Sequence, residues 1–203
     1  MKILDLFCGL KSLKPVCDKL GIEYYGIDFN NKFNPDMCLD INKLTKELIP
    51  FVPDVIWASP PCESFSVSSI GVHWNKDNTP KTERAKQAVE LVKHTIDLID
   101  KIQPKYYFME NPRGKLRKLY FMCYFPIRHT VTYCQYGDFR MKPTDIWTNN
   151  TIWKPRPMCK RKDPCHISAP RGSKTGTQNN SLSYEEKSKV PEQLLLEILN
   201  SCD

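Results

Sequence analysis

No stretch of the 203 residues approaches the ~18 consecutive apolar residues that a bilayer-spanning helix needs, so no membrane partner is expected. There is no internal repeat, which argues against a solenoid or array. The first apolar stretch, Ile3 to Phe7, is only a few residues long and no cleavage site follows it, so it is not expected to be a signal peptide. Without secretory context, the nine cysteines read as thiols or ligands in a reducing compartment rather than as a disulfide framework. A cytoplasmic location is therefore expected.

What is present suits one ordinary soluble domain with a core of its own: 40% hydrophobic and 26% charged residues. The net charge of +7 is unevenly spread. The first hundred residues hold 12 Lys and Arg against 14 Asp and Glu, whereas the rest hold 18 against 9. A basic half suits a polyanion, because cations gain affinity by releasing counterions from a phosphate backbone. A solvated basic face that aids solubility would look the same.

Strand and helix patterns alternate along the chain. Lys2–Phe7, Tyr24–Asp28, Met37–Leu39, Asp54–Ala58, Tyr106–Met109, His129–Tyr133 and Ile146–Thr148 read as strands. Ser12–Leu20, closed by Gly21, reads as a helix, as do Thr82–Ile102, Lys115–Phe121 and Pro191–Leu199. The helix at Thr82–Ile102 is clearest: Ala85, Ala88, Val89, Val92, Ile96 and Ile99 recur at steps of three and four. Between Asn150 and Tyr184 the pattern dissolves into Pro, Gly, Ser, Lys and Arg. Alternating strands and helices predict an α/β fold, a mostly parallel, doubly wound sheet. Ligands of such folds gather outside the carboxyl ends of the strands, where Asp28, Asp40, Cys62 and Glu110 are expected to line one edge.

Three motifs sit on that edge. Asp5-Leu-Phe-Cys-Gly9 turns a strand tightly towards a helix whose N-terminus suits an anionic group; it could equally be a plain tight turn. Asp28 is where a ribose-binding carboxylate would sit, or a helix cap. Ser59-Pro-Pro-Cys-Glu-Ser-Phe-Ser66 says more, because two prolines remove two amide donors and fix the chain ahead of Cys62. A rigid loop at the ligand edge is a poor place for a cysteine serving only as a small core hydrophobe. Phe108-Met-Glu-Asn-Pro112 repeats strand, carboxylate and proline, and Glu110 there could act as an acid or pair with Arg113.

These motifs resemble those of the DNA cytosine-5 methyltransferases, particularly the compact forms of phages and large viruses. DLFCG resembles the family's cofactor motif, SPPCESFS its nucleophile motif and ENP its glutamate motif. Tyr136 to Trp147 resembles, more loosely, its arginine-bearing region, with the match running over roughly residues 1–150. The resemblance implies a Rossmann-like S-adenosylmethionine-dependent fold and methyl transfer to C5 of cytosine through a covalent Cys62 adduct at C6. Glu110 would meet N3 of the base, with Arg140 and Lys142 in support. Asp5, Phe7, Gly9, Lys11, Asp28, Asp40 and Pro60 would surround the cofactor. The implied partner is DNA, as a duplex with a flipped cytosine or as a single strand, in the host cytoplasm if the chain is viral.

The chain departs from the family pattern in places. Lys11 replaces a glycine of the cofactor motif and would face the cofactor carboxylate. The arginine region is degenerate, and the Gly-Asn-Ser segment is absent. The target-recognition region is reduced to about 150–184, between a catalytic core at 1–149 and a C-terminal helix at 185–203 that packs on it. Lys160, Arg161, Lys162, Arg171 and Lys174, with Ser66 and Arg113, would grip phosphates while reading few bases, so weak specificity or a specificity partner protein is expected. A surface loop is the plainer account of that segment. Cys159 and Cys165-His166, with Cys134 and Cys123 upstream, could close a zinc site, but the spacing matches no common zinc pattern and no metal is assigned. Two rivals remain, an amino-methyltransferase acting on N4 of cytosine or N6 of adenine, and a catalytically silent nucleic-acid binder of the same fold. Cys62 argues against the first, since those enzymes follow their Pro-Pro loop with an aromatic residue that stacks on the base.

Overall fold

Residues 3–6 of the opening strand are all buried, and a strand covered on both faces belongs inside a sheet with helices on either side. The computed structural model, which describes residues 1–160, 162–167 and 183–202, puts β1 (Lys2–Leu6) there. It joins β2 (Glu23–Asp28), β3 (Met37–Cys38), β4 (Val55–Ala58), β5 (Tyr106–Pro112), β6 (Ile127–Thr132) and β7 (Pro143–Thr148) in one seven-stranded sheet. The strand order is β3-β2-β1-β4-β5-β7-β6. The first five run parallel, and β7 is antiparallel to both β5 and β6.

The helices are α1 (Lys14–Leu20), α2 (Ile70–His73), α3 (Glu83–Ile102), α4 (Tyr184–Ser188) and α5 (Glu192–Leu199). Thr82 caps α3 by accepting from the Ala85 amide, and the stripe Ala85, Val89, Val92, Ile96 and Ile99 is buried. Those residues pack with Leu4, Leu6, Ile56 and Met109 on one face of the sheet. On the other face Leu13, Val16, Leu194, Leu195 and Ile198 cover Ile3, Val55, Trp57 and Phe108. The doubly wound expectation therefore holds, with α5 inside the second core. No helix among the described residues is long and apolar enough to cross a membrane.

Four local expectations are corrected. Glu110 does not end its strand: β5 continues to Pro112, because β7 pairs with it as far as Pro112 opposite Thr144. β4 stops at Ala58, opposite Met109, so Glu110 still lies beyond the carboxyl end of that neighbour. Lys115–Phe121 is not an α-helix but falls in two 3₁₀ turns, Leu116–Lys118 and Tyr120–Tyr124. Its Lys115 amide is claimed by the Phe65 carbonyl and its Arg117 guanidinium by Asp145, which holds the segment too short to propagate a helix. The helix after the first motif begins at Lys14, and Pro191 is the N-cap of α5 rather than part of its first turn. The short α4 had its own signal in Ser183-Tyr-Glu-Glu186, a capping box with both reciprocal hydrogen bonds made.

Candidate active site

Two prolines cannot donate backbone hydrogen bonds, so the loop after β4 must be held by other means. The Asn111 side-chain amide donates to the Pro60 carbonyl at 2.9 Å, fixing the proline pair from β5. The Cys62 carbonyl accepts from the amides of Phe65 and Ser66, each at 2.9 Å, which folds the loop back on itself. Phe65 is fully buried against Trp74 at 5.9 Å between ring centroids, and the Trp74 indole donates to the Ser64 carbonyl at 2.6 Å. From beneath, Gly114 lies so close that an added Cβ would stand 2.2 Å from the Phe65 carbonyl oxygen. The next residue, Lys115, donates its amide to that same oxygen at 2.7 Å and its ammonium to Asn78 at 2.8 Å. Burial lowers the Lys115 pKa. The segment after Glu110 is thus the floor on which the cysteine loop rests, a role the sequence analysis did not assign to it.

The Cys62 thiol is half-buried at the mouth of the sheet. Burial raises its pKa, the Lys142 ammonium pulls it down, and the Glu110 carboxylate pushes it up. Thiol, carboxylate and cation therefore share one electrostatic neighbourhood. Glu110 is buried, and its Oε1 accepts a 2.7 Å hydrogen bond from the Tyr133 hydroxyl. Tyr133 was not foreseen as part of the site; a hydroxyl fully buried beside a carboxylate betrays itself only in three dimensions. Its pKa is driven well up by burial and by Glu110, so it stays a donor.

The two cations of the degenerate arginine region have separate roles. Arg140 is buried and pairs with Asp138, its Nε lying 2.9 Å from Oδ1 and its Nη2 also bound to that carboxylate. Its charge is thereby balanced within the loop. Lys142 is buried too, lies over the Tyr133 ring at 4.8 Å and donates to the Lys187 carbonyl at 3.2 Å. Of the two, Lys142 is the cation that acts on the thiol. A third cation, Arg117, spends itself on Asp145 and Thr130 between β6 and β7.

Towards β1 and β2 the edge is built from backbone. Phe7, Gly9 and Lys11 have φ of 63°, 46° and 52°, three left-handed residues in five. For the two that are not glycine this conformation costs on the order of 1–2 kcal/mol each. The coil is tied to β2 through Asp28, which is buried and accepts from the Gly9 amide at 3.0 Å and the Asn30 amide at 2.9 Å. Nothing stands nearer than 3.9 Å to where a Gly9 side chain would begin. Lys11 donates its ammonium to the Asn34 carbonyl. Phe29, beside Asp28, is 69% exposed, the neighbouring Phe7 half-buried and Pro60 buried. Asp5 faces inward: it is buried, accepts from Tyr24 at 2.9 Å, and burial pushes its pKa up to about 7. Asp40 is exposed and caps a short turn by accepting from the Asn42 amide.

The expected nucleic-acid contacts are scattered. Arg113, Lys160 and Lys162 are exposed, and Ser66 shares its hydroxyl with Ser68 and Ser69. Arg161, Arg171 and Lys174 lie outside the described residues. Arg156, part of the same basic run, is held internally by Glu197 at 2.7 Å and lies over the Tyr136 ring.

A sequence model of C-5 cytosine-specific DNA methylases matches residues 1–119. The chain is 30% identical to a probable DNA (cytosine-5)-methyltransferase of Frog virus 3 (isolate Goorha) over 226 aligned positions, covering all of both proteins. Among solved structures it is similar to a DNA modification methyltransferase encoded within an E. coli prophage, with a TM-score of 0.56 and 16% identity. That match covers 78% of this chain and 52% of the other. The S. pombe Dnmt2 methyltransferase matches with a TM-score of 0.48 and 17% identity, over 73% of this chain and 48% of that one. The chain spans about half the length of these solved structures. The match to the first 119 residues takes in the Cys62 loop and Glu110, the viral relative matches from end to end, and the chain belongs to the C-5 cytosine-specific DNA methylase family.

Proposed function

We propose that this chain methylates C5 of cytosine in DNA, with Cys62 as the covalent nucleophile and S-adenosylmethionine as the methyl donor. The observation that carries the reading is that the Cys62 loop beyond the carboxyl end of β4 is held by Asn111, the residue next to Glu110, with the charges of Glu110 and Lys142 both acting on the thiol. A binder that had lost catalysis would not need Cys62, Glu110 and Lys142 together.

The residues present fit the cofactor. A coil of left-handed residues with open space above Gly9 allows close backbone approach, Asp28 offers a carboxylate beside it, and exposed Phe29 with Phe7 offers faces to a flat base. Phe7, Gly9, Asp28 and Pro60 would hold it, and Lys11 would turn from the Asn34 carbonyl to the cofactor's carboxylate. Asp5 would serve from behind, by fixing Tyr24 under the coil, and Asp40 from the rim. Bound there, the cofactor supplies an electrophilic methyl group on a sulfonium.

The chain's own residues perform the rest. Cytosine C5 is barely nucleophilic, whereas C6 accepts a nucleophile. Deprotonated Cys62 would add to C6, and the electron pair of the C5–C6 double bond would move to C5, the carbon that would take the methyl group as the sulfonium gives it up and becomes a thioether. A proton carried by Glu110 is shared with N3 through a hydrogen bond and neutralises the charge developing on the ring; the Tyr133 hydroxyl, donating to Oε1, keeps that carboxyl group aimed. Lys142 favours the thiolate against the opposing effect of burial. Water takes the C5 proton, the electron pair of that C–H bond re-forms the C5–C6 double bond, Cys62 leaves as the thiolate, and the N3 proton returns to Glu110. In a duplex the base must first leave the stack, at a cost of a few kcal/mol. Arg113, Lys160 and Lys162, with Arg161, Arg171 and Lys174, would hold the backbone phosphates, and with so short a recognition segment a partner protein would add specificity. Nine free thiols suit a reducing compartment such as the host cytoplasm.

The test is a mass-spectrometric nucleoside digest of unmodified DNA incubated with the protein and deuterium-labelled S-adenosylmethionine. Labelled 5-methylcytosine, absent with Cys62→Ala, is expected. Label on N4 of cytosine or N6 of adenine would refute the reading and favour an amino-methyltransferase.

A further inference from the structure

Cysteine and histidine side chains outside the catalytic cleft converge at a second place. Cys134 lies in the turn Tyr133–Tyr136 that follows β6, and Cys159, Cys165 and His166 lie in the basic segment. Their four ligand atoms all fall within 4.8 Å of one another. Sγ of Cys134 is 3.1 Å from Sγ of Cys159 and 3.6 Å from Sγ of Cys165. Nδ1 of His166 is 3.7 Å from the Cys159 sulfur and 3.6 Å from that of Cys165. Bonds of about 2.3 Å to sulfur and 2.0–2.1 Å to nitrogen put tetrahedral zinc ligands roughly 3.8 Å apart for two sulfurs and roughly 3.6 Å for sulfur and nitrogen. The Cys134–Cys165 edge and both sulfur–nitrogen edges lie close to those values, and the Cys134–Cys159 edge would lengthen by about 0.7 Å around a bound ion. They do not fit a disulfide, whose sulfurs stand about 2.05 Å apart.

We propose that Cys134, Cys159, Cys165 and His166 bind one structural Zn²⁺. Three thiolates and a neutral imidazole form a closed, soft donor set with no position left for water, which suits zinc over hard cations such as Mg²⁺. The surroundings support the sulfurs: the Gln135 side-chain amide donates to Cys165 at 3.2 Å, as an outer partner of a metal-bound thiolate would. The backbone is secured on both sides of the cluster, where the Cys159 amide donates to Thr132 at 3.0 Å and the Ile167 amide to the Phe139 carbonyl at 3.0 Å.

The site would do what the local sequence cannot. Among its described residues, the segment from Thr151 to Ile167 has no helix or strand and contributes only Trp153 and Cys159 to the buried apolar residues, so little packing holds them. Zinc staples it to the turn that begins with Tyr133, the residue bound to Glu110. The basic strap that carries Lys160 and Lys162 is thereby fixed in register with the proposed catalytic carboxylate. The sequence offers these four residues together with Cys123 but its spacing cannot choose among them, because the first ligand stands 25 residues ahead of the second and belongs to the sheet side.

The experiment is elemental analysis of the full-length protein, purified under reductant without chelator. About one zinc per chain is expected, retained by Cys123→Ser, whose exposed thiol is outside the cluster, and lost from Cys165→Ser and His166→Ala. Since a variant can fail to fold, wild-type protein exchanged with Co²⁺ provides a second reading. Intense thiolate-to-cobalt absorption with tetrahedral ligand-field bands would support three sulfurs and one nitrogen. A folded wild-type protein that carries no zinc and takes up no Co²⁺ under reductant would overturn the proposal, as would zinc retained in folded Cys165→Ser and His166→Ala proteins.

Discussion

The two halves of the sheet edge are built on different principles. On the β4–β5 side, the Cys62 loop is gripped by side chains and amides from Asn111, Trp74 and Lys115 and rests on Gly114. On the β1–β2 side, a coil with three left-handed residues is tied to Asp28 through the Gly9 amide, and the loops after β2 and β3 carry the exposed Phe29 and Asp40. The first half is a rigid mount and the second a shaped backbone. Covalent chemistry demands the mount, because a nucleophile misplaced by about 1 Å can lose ~100-fold in rate. A cofactor reached mainly through backbone and aromatic faces tolerates a softer frame.

The contrast can be broken from the mount first. Gly114→Ala forces a methyl group against the Phe65 carbonyl, which must move. We expect kcat to fall by roughly 100-fold, with the circular dichroism spectrum unchanged and cofactor affinity by calorimetry kept within a few-fold. Unaltered turnover would mean that the floor does not set the position of the nucleophile.

Lys142→Met should have a smaller and pH-dependent effect. Removing the cation raises the Cys62 pKa further, so the alkaline-rising limb of the rate profile should move to higher pH. A displacement of one pKa unit would give about a tenfold loss near neutrality that is recovered in alkali. A loss equal at every pH would show that Lys142 acts by some route other than thiolate stabilisation.

The cofactor half should respond in stability more than in rate. Asp5 has its pKa raised from 3.8 to about 7, so the folded chain keeps a proton that the unfolded chain releases. Its contribution to stability is therefore lost as pH rises from about 4 towards 7, and the loss is complete above that. Asp5→Asn should have a higher melting temperature than wild type at pH 8, with the gain fading towards pH 4, and near-normal turnover. A gain that did not vary with pH would mean that Asp5 is not held protonated by burial.

Much of this was legible in the sequence because the relevant signals are local. Apolar runs stopped by glycine or proline located β1, β2, β4 and α3 to within about two residues, and Pro60-Pro61 marked the rigid loop. Cys62 followed from where β4 ends, whereas Glu110 was placed by ending its own strand too early, at Met109. What stayed hidden depends on partners distant in the chain. β5 runs on to Pro112 because of β7, some thirty residues later. Tyr133 joins the site only because the sheet folds β6 beside β5's antiparallel partner. The choice of Lys142 over Arg140 is hidden differently: Asp138 is only two residues from Arg140, but its pairing with the guanidinium shows only in three dimensions. The turns at Leu116–Lys118 and Tyr120–Tyr124 were misread as a helix for the same reason, since apolar spacing alone cannot reveal that Arg117 is committed to Asp145.

One carbonyl has a bearing on how far this chain could be shortened. Lys187, in α4, offers its oxygen to both Arg140 and Lys142. Every residue proposed as catalytic lies before Thr148, so trimming the chain after that residue would look harmless on paper. Such a fragment would keep Cys62 and Glu110 but strip Lys142 of an anchor, and would bare the sheet face that α5 covers. The tail is thus part of the engine rather than a trailing end.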